Sequence, residues 1–199
     1  NFDKAMSFVD KALERYQPSS SALILKATLI RLTGDLDGAL KYIDKALIID
    51  EGNPQARLTR ALFHIEQEKY AEAEPDLDLI LEEIPDEPKA KYFKSVINAA
   101  LGRFKDAETD VNEIVTLLKA VPDEDKDNNP IYYYLSGLAN FKAENYGDAR
   151  KSLARYLKIN PNNLRAVEMV ATIHLRSGAP LAANALLNKT NLNHPNNPN

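Results

Sequence analysis

Apolar residues recur along this chain at i, i+3 and i+7, as at Leu36, Ala39 and Ile43, and short polar turns separate the stretches, which is the period of amphipathic helices. The pattern repeats at a longer interval. Ala5, Ala39, Ala73, Ala107, Ala149 and Ala183 follow one another at 34, 34, 34, 42 and 34 residues. An apolar residue opens each helix three positions earlier: Phe2, Leu36, Tyr70, Phe104 and Tyr146. A second column, twelve residues upstream of the alanine, holds Ala27, Ala61, Ser95, Gly137 and Ala171, all small. Small residues let paired helices approach closely, and Ile43, Leu77, Val111 and Leu153 supply the apolar knobs that fill the space between them. Gly34, Gly102 and Gly178 fall in the turn inside a pair, where a positive φ is useful, and Pro85, Pro161 and Pro195 follow the second helix.

A period of this length decides the fold before any single helix does. The columns resemble the tetratricopeptide repeat family over nearly the whole chain. That resemblance implies an all-α solenoid: antiparallel helix pairs stacked into a right-handed superhelix with a concave groove. About five and a half units are expected: a half unit at 1–19, then 20–53, 54–87, 88–129 with an inserted loop, 130–163 and 164–197. Together they read as one domain and as a fragment of a longer array, since a half repeat opens the chain and Pro195-Asn196-Asn197 restates Pro161-Asn162-Asn163. Three departures qualify the pattern. Pro75 predicts a modest distortion of its helix. The 42-residue step is assigned to a longer helix ending near Ala120 plus a loop from Pro122 to Asn129. Pro180 takes the opening position of the last helix, where proline is tolerated.

Composition removes several function classes. The 199 residues include no Cys and no Trp, so disulfide scaffolds, thiolate metal sites and cysteine nucleophiles are out. A formal charge of −4 with no basic run makes nucleic acid a poor partner. The apolar runs are far shorter than the roughly 20 residues of a membrane span.

Candidate chemistry is sparse. Asp123, Asp125 and Asp127 alternate as in the start of a calcium loop, but Asn128 and Tyr134 stand where glycine and a closing glutamate are needed, so a solvated acidic loop is expected. His64, His174 and His194 have no second ligand at metal spacing. No phosphate-cradling glycine loop or nucleophile elbow is present, and the expectation is no catalytic residue, no metal and no cofactor.

In the tetratricopeptide resemblance the first helix of each pair lines the concave face. Its inward residues form three columns: Ile24, Leu58, Tyr92, Tyr134 and Glu168; Thr28, Leu62, Val96, Leu138 and Thr172; Arg31, Ile65, Ala99, Phe141 and Leu175. The expected groove is apolar and aromatic, with Ile24, Leu58, Leu62, Tyr92, Val96, Tyr134, Leu138 and Phe141 facing a protein or peptide partner and Tyr133 as a further anchor. A clamp for a terminal carboxylate would need more cations than Lys89 and Arg31 there. The alternative is packing alone, or self-association as a spacer module. The stretch Tyr133 to Phe141 followed by Tyr146, Ala149, Leu153, Tyr156-Leu157 and Asn160-Pro161 also resembles repeats of bacterial lipoproteins of exosortase and exopolysaccharide systems. That likeness implies a periplasmic or envelope location.

Overall fold

The structure, a computed structural model, describes residues 2–193. Its twelve described helices divide between two compact units, Asn1–Gly102 and Arg103–Asn199. The first unit holds α1 (Phe2–Arg15), α2 (Ser20–Arg31), α3 (Leu36–Ile49), α4 (Pro54–Glu66), α5 (Tyr70–Glu83) and α6 (Pro88–Ala100). The second holds α7 (Phe104–Ala120), α8 (Asp123–Asn128), α9 (Ile131–Lys142), α10 (Tyr146–Ile159), α11 (Leu164–Arg176) and α12 (Pro180–Asn193). The architecture is an all-α solenoid of helix pairs. His194, Pro195 and the closing Asn-Pro segment lie outside the described residues.

Local chemistry sets the helix boundaries. Ser19, Asn53, Glu87 and Asn163 each place a side-chain oxygen on an amide three residues on, at 3.2, 2.9, 2.6 and 3.0 Å, which satisfies one of the orphan N–H groups at the start of α2, α4, α6 and α11. Pro54 and Pro88 occupy first helical positions, where no N–H is missed. The turn inside each pair needs one left-handed residue. Gly34, Gly102 and Gly178 supply it at φ of 87°, 75° and 74°, while Glu68 and Glu144 fill the same column at 58° and 60°.

Both small-residue columns are buried apart from Ala5, which is half-buried, with Ala27, Ala61, Ala39, Ala73 and Ala149 fully enclosed. At Gly137 the fit is tighter: a Cβ would stand 2.5 Å from Leu153 Cγ, so only a hydrogen fits where α9 meets α10. Ile43, Leu77 and Leu153 are fully buried knobs. Val111 is only half-buried, and the extended α7 encloses Ile114 and Leu118 in its place.

One expectation needs correction. The segment after α7 is not a loop: Pro122 stands at the N-cap of the six-residue α8, whose first turn carries Asp123, Glu124 and Asp125 and whose last turn carries Lys126, charges that oppose the helix dipole correctly at both ends. Pro75, where the sequence leads to the expectation of a modest distortion, lies inside α5, which runs from Tyr70 to Glu83 and buries Ala73, Asp76, Leu77 and Ile80.

Candidate functional site

The first helix of each pair places the expected groove residues unevenly. Leu58 and Leu138 are 7% and 8% exposed, so they have little surface left to offer. Ile24 and Leu62 are half-buried and pack against the core built on Leu23, Ile43 and Phe63. Tyr92 and Val96 are half-buried on α6, with the Tyr92 ring 5.8 Å from that of Phe93. Ile24, Leu58, Leu62, Tyr92 and Val96 belong to the first unit, and Leu138 to the second. Beside them Arg31 Nη1 donates to Glu66 Oε1 at 2.8 Å, tying α2 to α4.

In the second unit Tyr134 and Phe141 lie seven residues apart on α9, on one face of the helix. Each is half-buried and braced by a tyrosine of α10. The Tyr134 ring is 5.1 Å from Tyr156, and Phe141 meets the edge of Tyr146 at 5.8 Å. Arg176 lies over the Tyr146 ring, 5.3 Å from its centre, and its guanidinium donates to the Tyr146 hydroxyl. Burial and the neighbouring Tyr156 hydroxyl hold the Tyr134 phenol above the ordinary tyrosine range, against the opposing pull of Arg165.

Tyr133 does not join this face. Successive helical residues point about 100° apart, and Tyr133 is 3% exposed, donating from its hydroxyl to Asp127 Oδ1 at 2.8 Å. Arg155 Nη1 donates to the same hydroxyl at 2.8 Å and to Asp123 Oδ2 at 2.6 Å, with its guanidinium 5.4 Å from the Tyr133 ring centre. Burial is the main cause that raises the Tyr133 phenol, and the Asp127 bond adds to it. The inserted α8 is thereby fastened to α9 and α10.

A second periodic feature is ionic and runs through the first unit. Asp10, Asp44 and Asp78 recur at 34 residues, and each meets a cation sixteen residues on: Lys26 at 2.5 Å, Arg60 at 3.1 Å and Lys94 at 2.7 Å. Arg60 reaches forward as well, gripping the buried Asp76 with Nε and Nη2 at 2.7 and 2.8 Å, a bidentate geometry that raises its pKa further. Arg57 adds a longer contact to Asp76 at 3.5 Å. Sequence reasoning passed over this ladder although its acidic and basic columns have the period of the alanines. His64 lies nearby on α4. Its Nδ1 is buried without a hydrogen-bond partner, and burial, then Arg60, push its pKa below the ordinary value.

Among the described residues no cluster of three or more acidic or histidine side chains could hold a metal ion. No described helix is long and apolar enough to cross a membrane.

Comparison with known proteins agrees with the geometry. Residues 31–97 match one family model described as tetratricopeptide repeat, and residues 1–54 and 126–197 match another. TPR repeat-containing protein MJ1428 of Methanocaldococcus jannaschii is 21% identical over 187 residues, 89% of this chain and 31% of that protein. Cellulose synthase operon protein C of Pseudomonas fluorescens is 23% identical over 205 residues, 98% of this chain and 16% of that protein. The chain thus spans less than a third of the length of either relative. Among solved structures, the APC/C hetero-tetramer Cut9-Hcn1 superposes with a TM-score of 0.72 at 17% identity, covering 98% of this chain and 38% of that one. YrrB, described as a TPR protein with an unusual peptide-binding site, gives 0.51 at 19% identity over 96% of this chain and 95% of its own.

Proposed function

The chain belongs to the tetratricopeptide repeat family, and from that premise we propose that it is a non-enzymatic scaffold that holds a peptide or protein segment against the exposed faces of its first helices. The observation that carries this reading is the pair Tyr134 and Phe141, half-buried on one face of α9 and each braced from α10. Aromatic surface already fixed by its neighbours loses little side-chain entropy on binding. Ile24, Leu58, Leu62, Tyr92 and Val96 form the corresponding stripe of the first unit, and Leu138 stands one turn after Tyr134 on α9, almost fully buried. The peptide-binding site of YrrB supports the mode of recognition.

Selection of displayed peptides on the purified chain tests this. Binders should lose affinity at least tenfold, about 1.4 kcal/mol, in the Tyr134→Ala, Phe141→Ala double variant while helicity is kept. Peptides that bind wild type and variant alike overturn the groove.

A second reading has one observation in its favour. The relation to Cellulose synthase operon protein C fits a spacer in an envelope assembly that builds or exports polysaccharide, with the same surfaces joining copies of the chain. A sedimentation coefficient that rises with concentration would favour it.

A further inference from the structure

The junction between the first two second helices, α1 and α3, is apolar and open. A cavity of about 480 Å³ lies there, walled by Leu13 of α1, Leu23 of α2 and Tyr42, Ile48 and Ile49 of α3, all within the first unit. One repeat period on, the places of Leu23, Tyr42, Ile48 and Ile49 are taken by Arg57, Asp76, Glu82 and Glu83, and Arg57 reaches Asp76 at 3.5 Å. The apolar character is thus peculiar to the first junction. Ile48 is 83% and Ile49 50% exposed beside the cavity, and aliphatic surface of this kind next to a hollow marks a place where a macromolecule docks.

The charges of this face select the occupant. Of the three that line the cavity, Asp10 is held by Lys26 at 2.5 Å, while Glu14 and Lys45 are exposed and, among the described residues, outside any ion pair; Lys45 lies over the Tyr42 ring at 5.2 Å. Both helices are neutral: α1 sets Asp3, Asp10 and Glu14 against Lys4, Lys11 and Arg15, and α3 sets Asp37 and Asp44 against Lys41 and Lys45. Such a face does not repel its own copy, whereas α5, with six acids and no cation, would. Taking one period of 34 from Lys45 gives position 11, three residues before Glu14, so on these parallel helices the two charges stand one turn apart along the groove. A two-fold axis between them reverses the helix direction and sets Glu14 of each copy against Lys45 of the other. We propose that a second copy of this chain docks here about that axis, with Ile48 of each copy entering the cavity of the other. Two 14-residue helices side by side offer a face about 21 Å long and about 20 Å wide, at the small end of stable interfaces, which bury roughly 800 Å² per partner, so the dimer is of micromolar strength. The proposal rests neither on the aromatic face of α9 nor on a peptide partner.

Sedimentation velocity of the full chain from about 5 to about 500 μM, a range that brackets micromolar association, tests this. The wild type should pass from monomer to dimer and go no further, since a two-fold contact closes on itself. Ile48→Glu, at an exposed position, should weaken the dimer at least tenfold while thermal unfolding of the monomer is unchanged. Glu14→Lys and Lys45→Glu should each weaken it about tenfold, because symmetry places two like-charge pairs in every dimer. An equimolar mixture of those two variants should regain the wild-type affinity, since both cross pairs of the mixed dimer are then opposite in sign. Tyr134→Ala with Phe141→Ala should dimerise as the wild type does, so loss of peptide capture and loss of this contact are distinguishable. A chain that stays monomeric throughout, growth beyond the dimer, a dimer untouched by Ile48→Glu or abolished by the α9 variant, or a mixture no tighter than its components would each overturn the proposal.

Discussion

Glu68 and Glu144 hold left-handed backbone at φ of 58° and 60° in turns where three sister repeats use glycine. A side chain there costs about 1–2 kcal/mol, offset in part by the freedom that glycine would gain in the unfolded chain. Both glutamates are exposed, so little packing is lost on their removal. Glu68→Gly and Glu144→Gly should therefore each stabilise by about 0.5–1 kcal/mol, read as a higher denaturant midpoint at unchanged slope. His64 makes the opposite kind of statement. Its folded pKa is depressed by burial and by Arg60, so the unfolded chain, titrating near the ordinary value of about 6.5, binds the proton first. The His64 contribution is thus intact above that range and is lost as pH falls through it toward the folded value. Unfolding midpoints at pH 7.5 and pH 5.5 should differ more for wild type than for His64→Gln, and equal differences would refute the assignment.

Helix pairs are joined at columns whose tolerances differ from repeat to repeat. At the crossing of α9 and α10, Gly137 occupies the place of Ala27 and Ala61, and the Leu153 side chain fills the room that a methyl would take. Gly137→Ala should destabilise by about 1–3 kcal/mol through overpacking, although alanine is the better helix former by up to 1 kcal/mol. Thermal unfolding decides the sign, and Leu153→Val alongside it should recover part of the loss. The small-residue column was legible in the sequence; that one position admits only glycine was not, because the volume is set by a side chain sixteen residues away. The same limit explains α8. Its residues, read in isolation, are an acidic turn, and they become a helix fastened to its neighbours once Arg155 and Tyr133 fold against Asp123 and Asp127. Tyr133 and Tyr134 could not be separated as anchors from composition, since the α9 backbone sends one inward and the other outward.

Across the whole chain, one repeat period is filled by two kinds of chemistry. The first unit closes its helix junctions with ions: Asp10 with Lys26, Asp44 with Arg60 and Asp76, Asp78 with Lys94. The matching positions of the second unit are Ala154 with Val170 and the hydroxyl pair of Ser136 and Ser152 at 3.1 Å. The alanine column, which is common to both units, gave the fold away, whereas this difference appears only when charges are followed at the same interval. It has a measurable consequence. Sodium chloride near 1 M shortens the screening length to about 3 Å, which weakens partly exposed pairs and leaves apolar or hydroxyl contacts nearly unchanged. Arg60 and Lys94 keep 29% and 22% of their side chains at solvent, so their pairs are open to this screening, whereas Asp76 at 3% is shielded. Amides of α3 to α6 should exchange about two- to fivefold faster in high salt, equivalent to roughly 0.5–1 kcal/mol, while those of α11 hold their protection. Uniform change in both units would mean that the ion ladder adds nothing measurable to stability and that the alanine and leucine columns alone hold the repeats together.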